Sequence, residues 1–512
     1  VADYAGASAR IQGTVRDLGP GPSVDLVVTA GGRDLGRVIG RGGASAAVQA
    51  QQPFAVEGKV AGDAGRLAVD LAARLGDGQA KVTGTLEPMR GLPGMALAID
   101  AAHPSTGRLL SQLAPGYRPQ GGDIGPFRLV ARTRADGTNL FLDGLSLAAG
   151  PARLEGPLRI ETAGPRPKLV ADLVGSDLVL DAFLPIEERA DVPTGIIPVQ
   201  ARPAPAPRPA ERWSRAPLDL SALLGNDADV KLRASSLRQG RWTVTRPDIA
   251  LTLADGTLSL ARLNGQVYGG DVAITGQFAA KGTPTGRFEL KAQNVDVGRA
   301  IDTGKVIRLV GGKARANLTL QTAGRSMYEL VAALGGAGDI DVRDGVMRGL
   351  NLGAAARAVR SSDVSKLPNI LQLAQELGKD GDTQFSSLTG TFRIEKGDIR
   401  SDDIRMTSPD FTATATTLTR LLPWTTETRL EAQIPARPDP VPVAMRLEGS
   451  MDQPRKIFDT NALQAHLMQR YGGSRLQQIV PGLELPGQRQ PQGEDKPQRR
   501  NPLDQIAPLL RR

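Results

Sequence analysis

Short runs of alternating apolar and polar residues, each closed by Gly, Asp-Gly or Pro, recur along this chain and restrict it to a mainly β architecture. In "DVAITGQF" (271–278), Val272, Ile274 and Phe278 share one face, while Asp271, Thr275 and Gln277 take the other. Phe288 and Leu290 oppose Arg287, Glu289 and Lys291 in the same way. So do Val230 and Leu232 against Lys231 and Arg233, and Phe392 and Ile394 against Arg393 and Glu395. One apolar and one solvated face per strand indicates antiparallel sheet, since parallel strands buried on both faces read as continuous apolar runs. "LTLADGTLSL" (251–260) reads as a hairpin turning at Asp255-Gly256.

The alternating runs also repeat. The segments 81–115, 153–185 and 273–301 each place an apolar residue two positions before a strand glycine: Val82 before Gly84, Leu154 before Gly156, Ile274 before Gly276. A Gly/Pro turn follows, then a second alternating strand, then a short apolar segment; 387–399 is a weaker echo. Such repetition predicts an elongated array of about 25 to 30 strands, in which each unit contacts mainly its neighbours. The residues expected to line its apolar face are Val82, Leu97, Ile99, Leu154, Leu158, Ile160, Val230, Leu232, Ile274, Phe278, Phe288, Leu290, Phe392 and Ile394. Helices are too few to cover that face, so the sheets either close on each other as sandwiches or curl into a groove.

Four regions follow. Residues 1–184 form an N-terminal β-repeat region that opens in mid-pattern and reads as truncated at its start. Residues 185–217, containing "PAPAPRP", form a Pro-rich linker expected to be extended. Residues 218–457 form a second β region with a helical insertion near 349–378. Residues 458–512 hold an amphipathic helical segment (458–484) and a Pro/Gln/Arg-rich tail. No run of 18 apolar residues occurs, so no helical membrane span is expected within this sequence.

Composition removes several kinds of chemistry. With no cysteine and two histidines, His103 and His466, a thiol nucleophile, a Cys-ligated zinc and an iron–sulfur cluster are excluded. The net charge of +9 points to an anionic partner. The basic residues are scattered without interleaved aromatics, which favours lipid head groups over nucleic acid. "GGRDLGRVIGRGG" (31–43) lacks the Gly-Lys-Ser/Thr ending of a phosphate loop. "SSDVSK" (361–366) reads as caps and turns, and the adjacent Asp402 and Asp403 are expected on opposite faces of a strand. A non-enzymatic protein without metal or cofactor is the expectation.

Beyond about residue 211 the sequence becomes specific. Trp213-Ser214, the turn Asp219 to Leu223 and the strand start Asp227 to Val230 are followed by the segments 253–278 and 337–359. Then comes a pattern carried by Thr383, Phe385, Leu388, Gly390, Phe392, Gly397, Asp402 and Asp403. In this order, over about 211–460, they resemble the AsmA-like family of Gram-negative envelope proteins. The resemblance implies a periplasmic β-groove for phospholipid acyl chains and a role in lipid transport between inner and outer membranes. It also implies inner-membrane anchoring by an N-terminal helix that this sequence does not contain. The other partner class is an envelope protein, which a scaffold in outer-membrane protein biogenesis would bind through strand edges; nucleic acid is not expected.

Overall fold

The computed structural model describes residues 2–4, 6–16, 22–33, 53–63, 65–87, 94–113, 119–120, 123–184, 212–300, 307–361, 381–435, 439–459 and 465–466. The expected β architecture forms, with 24 strands and five short α-helices among the described residues. The chain divides into two compact units. Unit 1 takes residues 1–202, 219–266 and 277–281; unit 2 takes 203–218, 267–276 and 282–512.

Unit 1 is a ladder of strands that follow one another in sequence. They are β1 (Ala2–Tyr4), β2 (Ala7–Arg16), β3 (Ser23–Gly32), β4 (Phe54–Asp63), β5 (Leu67–Leu75), β6 (Gly78–Glu87) and β7 (Gly94–His103). A helix, α1 (Thr106–Leu113), leads to β8 (Phe127–Asp136), β9 (Asn139–Ala149), β10 (Ala152–Glu161) and β11 (Lys168–Val179). After a 3₁₀ turn (Leu180–Phe183) and α2 (Ser221–Gly225) come β12 (Asp227–Gln239) and β13 (Trp242–Ala254). Strands β14 (Thr257–Val267) and β15 (Gly270–Ala279) lie where the units divide.

Among the described pairings one departs from the antiparallel expectation: β11 and β12 are parallel, from Lys168↔Asp227 to Val179↔Arg238. Hairpin logic fails there because the connection is the long Pro-rich stretch, and a long crossover permits a parallel return. A charged clasp fixes the re-entry. Arg166, in the β10–β11 turn, bonds Asp227 at 3.2 Å and Asp255 at 2.8 Å. Lys281 reaches Asp255 at 2.5 Å, and the Asp227 amide donates to the Pro167 carbonyl at 3.0 Å.

The repeated strand glycine has a steric cause. At Gly84 φ is +145° and a Cβ would lie 2.0 Å from the Ala96 carbonyl oxygen; at Gly156 φ is +140° and the distance to the Asp172 oxygen is 2.1 Å. Gly13 and Gly58 share this geometry, so the motif extends upstream of the copies visible in the sequence. A backbone this close to its neighbour tolerates no side chain.

Unit 2 holds β16 (Thr285–Asp296), α3 (Val297–Ala300), β17 (Arg308–Ala323), α4 (Met327–Ala332), β18 (Gly335–Arg348) and α5 (Leu352–Ser361). Then follow β19 (Asp382–Glu395), β20 (Asp398–Ser408), β21 (Phe411–Arg420), β22 (Thr425–Ile434), β23 (Val441–Ser450) and β24 (Arg455–Asp459). From β16 to β24 each strand pairs antiparallel with the next. Among the described residues no pairing joins β1 to β13 or β16 to β24, so neither ladder closes into a barrel.

α4 starts on a capping arrangement: Ser326 Oγ accepts from the Glu329 amide at 3.2 Å, while the Glu329 carboxylate accepts from the Arg325 amide at 2.8 Å. α5 realises the helical insertion expected near 349–378 as far as Ser361; the remainder lies outside the described residues. Leu350, Leu352 and Ala356 join Phe385, Met406, Phe411, Ile434 and Met445 in one buried core. Of the 458–484 segment, Phe458 and Asp459 end β24 and 465–466 are helical. The linker's last residues pack onto unit 2. Trp213 meets Trp424 edge-on at 6.1 Å, its indole N–H donates to the Leu421 carbonyl at 2.9 Å, and Arg212 bonds Asp452 at 2.6 Å.

Two predictions follow from this geometry. Gly84→Ala should lower unfolding free energy by about 1–3 kcal/mol, the cost of forcing an L-residue into this backbone, read from urea titration at constant m-value. In the clasp, Lys281 and then Arg166 hold the Asp255 carboxyl below its ordinary range. A carboxyl lowered in the folded state contributes above its unfolded value, about pH 3.9, and the contribution fades as pH falls through the lowered folded value. Asp255→Asn should therefore reduce the denaturation midpoint at pH 7 and converge with the parent in strong acid.

Candidate functional site: an apolar sheet face

Residues directly opposite across a ladder point to the same face, so register shows which side chains form one surface. In unit 1 a row runs Ile11↔Val28↔Gly58↔Leu71↔Val82↔Ile99↔Ala131 across β2 to β8. A second runs Leu26↔Val60↔Val69↔Gly84↔Leu97↔Thr133↔Leu142↔Leu158↔Ala171↔Val230↔Leu251 across β3 to β13. A bulge in β9 near Asp143 and Gly144 shifts register against both β8 and β10 without losing the face.

Eight of the nine unit 1 positions expected from sequence, all but Phe278, lie together on this surface. Val82 opposes Ile99, Leu97 opposes Gly84, Leu154 opposes Leu147, Leu158 opposes Leu142, and Ile160 opposes Leu140 and Leu169. Val230 opposes Ala171 and Leu251, and Leu232 opposes Leu173 and Ile249. In unit 2, Phe288 opposes Leu320 and Leu290 opposes Leu318; Phe392 opposes Gly338 and Ile394 opposes Gly336. Ile274 and Phe278 sit half-buried in β15.

The two units differ in how this face is finished. The apolar side chains of unit 1 are mostly half-buried, as the alternation in β4 to β7 shows, and Ile11 at 59% and Val15 at 51% exposure are open. Of the largest side chains under 2% exposed, every one apart from Pro247 and Ser105 belongs to unit 2. At one end of the unit 1 face, α1 and its entry form a stop. His103, 3% exposed, takes the Ser105 amide on Nδ1 at 3.0 Å, and Arg108 ties α1 to Asp77 at 2.7 Å. The opposite face is solvated and carries diagonal cross-strand ion pairs such as Arg128–Asp100 at 2.9 Å and Arg233–Asp172 at 3.5 Å. Exposed pairs of this kind contribute about 0–1 kcal/mol each, so they mark register more than they hold the fold.

Asp402 and Asp403 do not oppose one another as alternation predicts. A bulge between Ser401 and Ile404 suspends the two-residue period, and both line one outer groove with Asn317, Asp339 and Arg400. Asp403 is engaged there: the amide and hydroxyl of Thr391 both donate to it at 2.8 Å, holding its carboxyl below the usual range. The glycine-rich stretch contributes Gly31 and Gly32 to the end of β3, and 34–43 lies outside the described residues, as does 362–366. Among the described residues no helix is long and apolar enough to cross a membrane.

Sequence reading missed Ile11, Leu26, Val60, Val69, Leu71, Leu140 and Leu142, although all stand in alternating runs. It also missed Leu318 and Leu320, whose run "ANLTLQTA" alternates plainly.

These features define an antiparallel β-sheet protein with an apolar face left open along much of one unit. The chain belongs to the AsmA family: the family profile matches residues 137–404, just over half of the 512. Protein AsmA of Escherichia coli (strain K12) is 23% identical over 332 residues, covering 63% of this chain and 51% of that protein. The chain thus spans about half the length of this curated relative, and no solved structure matches.

If the unit 1 face is accessible, an environment-sensitive apolar dye should bind the native protein without denaturant. Val82→Glu should weaken that binding about tenfold, while Thr83→Glu, on the solvated face, should leave it unchanged. Fluorescence titration with circular dichroism as a folding control reads both.

Proposed function

We propose that this protein acts non-enzymatically in the Gram-negative envelope, holding phospholipid acyl chains on the apolar face of unit 1 and guiding lipid between inner and outer membranes through the periplasm. The observation that carries the reading is the register-matched apolar face, left half-exposed across most of unit 1. A sheet with one apolar face covers it with another layer or a ligand. Each methylene buried there gains about 0.8 kcal/mol, so an acyl chain needs no polar chemistry to be held. Membership of the AsmA family supports an envelope role.

A second reading, a scaffold for envelope protein assembly, is favoured by one observation. β1 pairs with β2 only at Ala7, Ser8 and Ala9, and among the described residues the outer edge of β2 from Arg10 to Arg16 has no ladder partner. Such an edge accepts an added strand.

Transfer of a fluorescent phospholipid between donor and acceptor vesicles separates the two. The first reading expects transfer that falls at least tenfold in Val82→Glu and Val230→Glu, with Thr83→Glu unaffected. Equal transfer by all variants, or none by the parent, contradicts it. Loss of function on Gln12→Pro, a change at the β2 edge, with transfer intact, supports the second.

A further inference from the structure

The corresponding face of unit 2 does not stay apolar. Along the turn end of its strands, register gives one lane as Phe288↔Leu320↔Gly336↔Ile394↔Ile399↔Thr419↔Thr426. A parallel lane runs Leu290↔Leu318↔Gly338↔Phe392 and resumes past the β20 bulge at Ser401↔Thr417↔Thr428. The aliphatic and aromatic positions, interrupted by glycine on β18, give way to hydroxyls on β21 and β22, the second lane turning polar one strand earlier at Ser401.

The lanes cannot continue at the far ends of the same strands. There Ala413, Leu430, Ala432 and Met445 are already buried in the core that α5 joins. At β21 and β22 the rung is therefore the part of the face outside that core. Its hydroxyls form a chain, with Thr417–Thr428 at 2.7 Å, Thr419–Thr426 at 3.1 Å and Thr426–Thr428 at 3.4 Å. Four hydroxyls bring four protons, and three mutual bonds use three of them. One donor and several lone pairs are left to face outward. Cross-strand Thr pairs also stabilise sheets; on the solvated face Thr412, Thr414 and Thr416 instead stand opposite Gln433, Glu431 and Arg429, so the paired hydroxyls of β21 and β22 gather on the lane face alone.

We propose that Thr417, Thr419, Thr426 and Thr428 form a polar stop: the acyl lane over β16 to β20 ends at this rung, which receives the polar head of the lipid. This rests on the lipid reading above. An acyl chain crossing the rung would cover hydroxyls that need hydrogen-bond partners, whereas a phosphodiester or glycerol oxygen satisfies the spare donor.

The test is photo-cross-linking of the full chain, incubated with phosphatidylethanolamine vesicles carrying a diazirine near the end of one acyl chain, followed by peptide mapping. The expected result is labelling of β16 to β20 with little on 411–434. In the quadruple variant Thr417→Val, Thr419→Val, Thr426→Val and Thr428→Val, isosteric and still β-branched, the ratio of 411–434 to β16–β20 label should rise about tenfold. That factor corresponds to removing about 1.4 kcal/mol of polar barrier. Thr412→Val/Thr414→Val/Thr416→Val, which removes three hydroxyls from the opposite face, should not change the ratio. A lipid with the diazirine on its head-group amine should label 411–434 in the parent. Tail label spread evenly over β16 to β22 in the parent, or a ratio unmoved by the quadruple change in a folded protein, overturns the polar stop alone. Absence of label on every strand overturns the lipid reading together with it.

Discussion

Everything in this structure depends on cross-strand register. A single alternating strand offers an apolar edge a few side chains long, and one strand slipped by one residue would turn its whole apolar set toward water. Ladders such as Val69↔Gly84 and Val82↔Ile99 hold strand after strand in phase. The result in unit 1 is a surface many strands wide built from short, individually weak patterns. The same register that makes the surface leaves it uncovered, because consecutive hairpins supply sheet and almost no helix.

Two devices keep the phase where hairpin turns alone would lose it. Strand glycines let adjacent backbones approach closely without a Cβ in the way, as at Gly84 and Gly156. The clasp of Arg166, Asp227, Asp255 and Lys281 sets the parallel return of β12 beside β11 after the Pro-rich stretch. Unit 2 uses a third solution, sealing part of its sheet with Leu350, Leu352 and Ala356 and leaving lanes only at the turn end.

Most of the face was legible in the sequence because period two carries its own geometry: Val82, Leu154, Val230 and Phe288 could be assigned a side without knowing any partner. Four kinds of feature were not legible. The parallel β11–β12 pair depends on where a chain returns after a long excursion, which no local pattern encodes. The placement of Asp402 beside Asp403 depends on a bulge, which breaks the very alternation used to read the strand. The threonine rung reads in sequence as an ordinary polar strand, "TATATTLTR", since its meaning comes only from the aliphatic rows that register places beside it. The packing of Trp213 on Trp424 was likewise hidden, being a contact between residues 211 positions apart.

The central claim is that the unit 1 face holds acyl chains. Native mass spectrometry of the full chain, released gently after incubation with phosphatidylethanolamine vesicles, addresses it most directly. The account predicts discrete adducts at integer multiples of the phospholipid mass, depleted in Val82→Glu and Val230→Glu and retained in Thr83→Glu. A spectrum showing only the unliganded chain, or adducts indifferent to charge on that face, would contradict it.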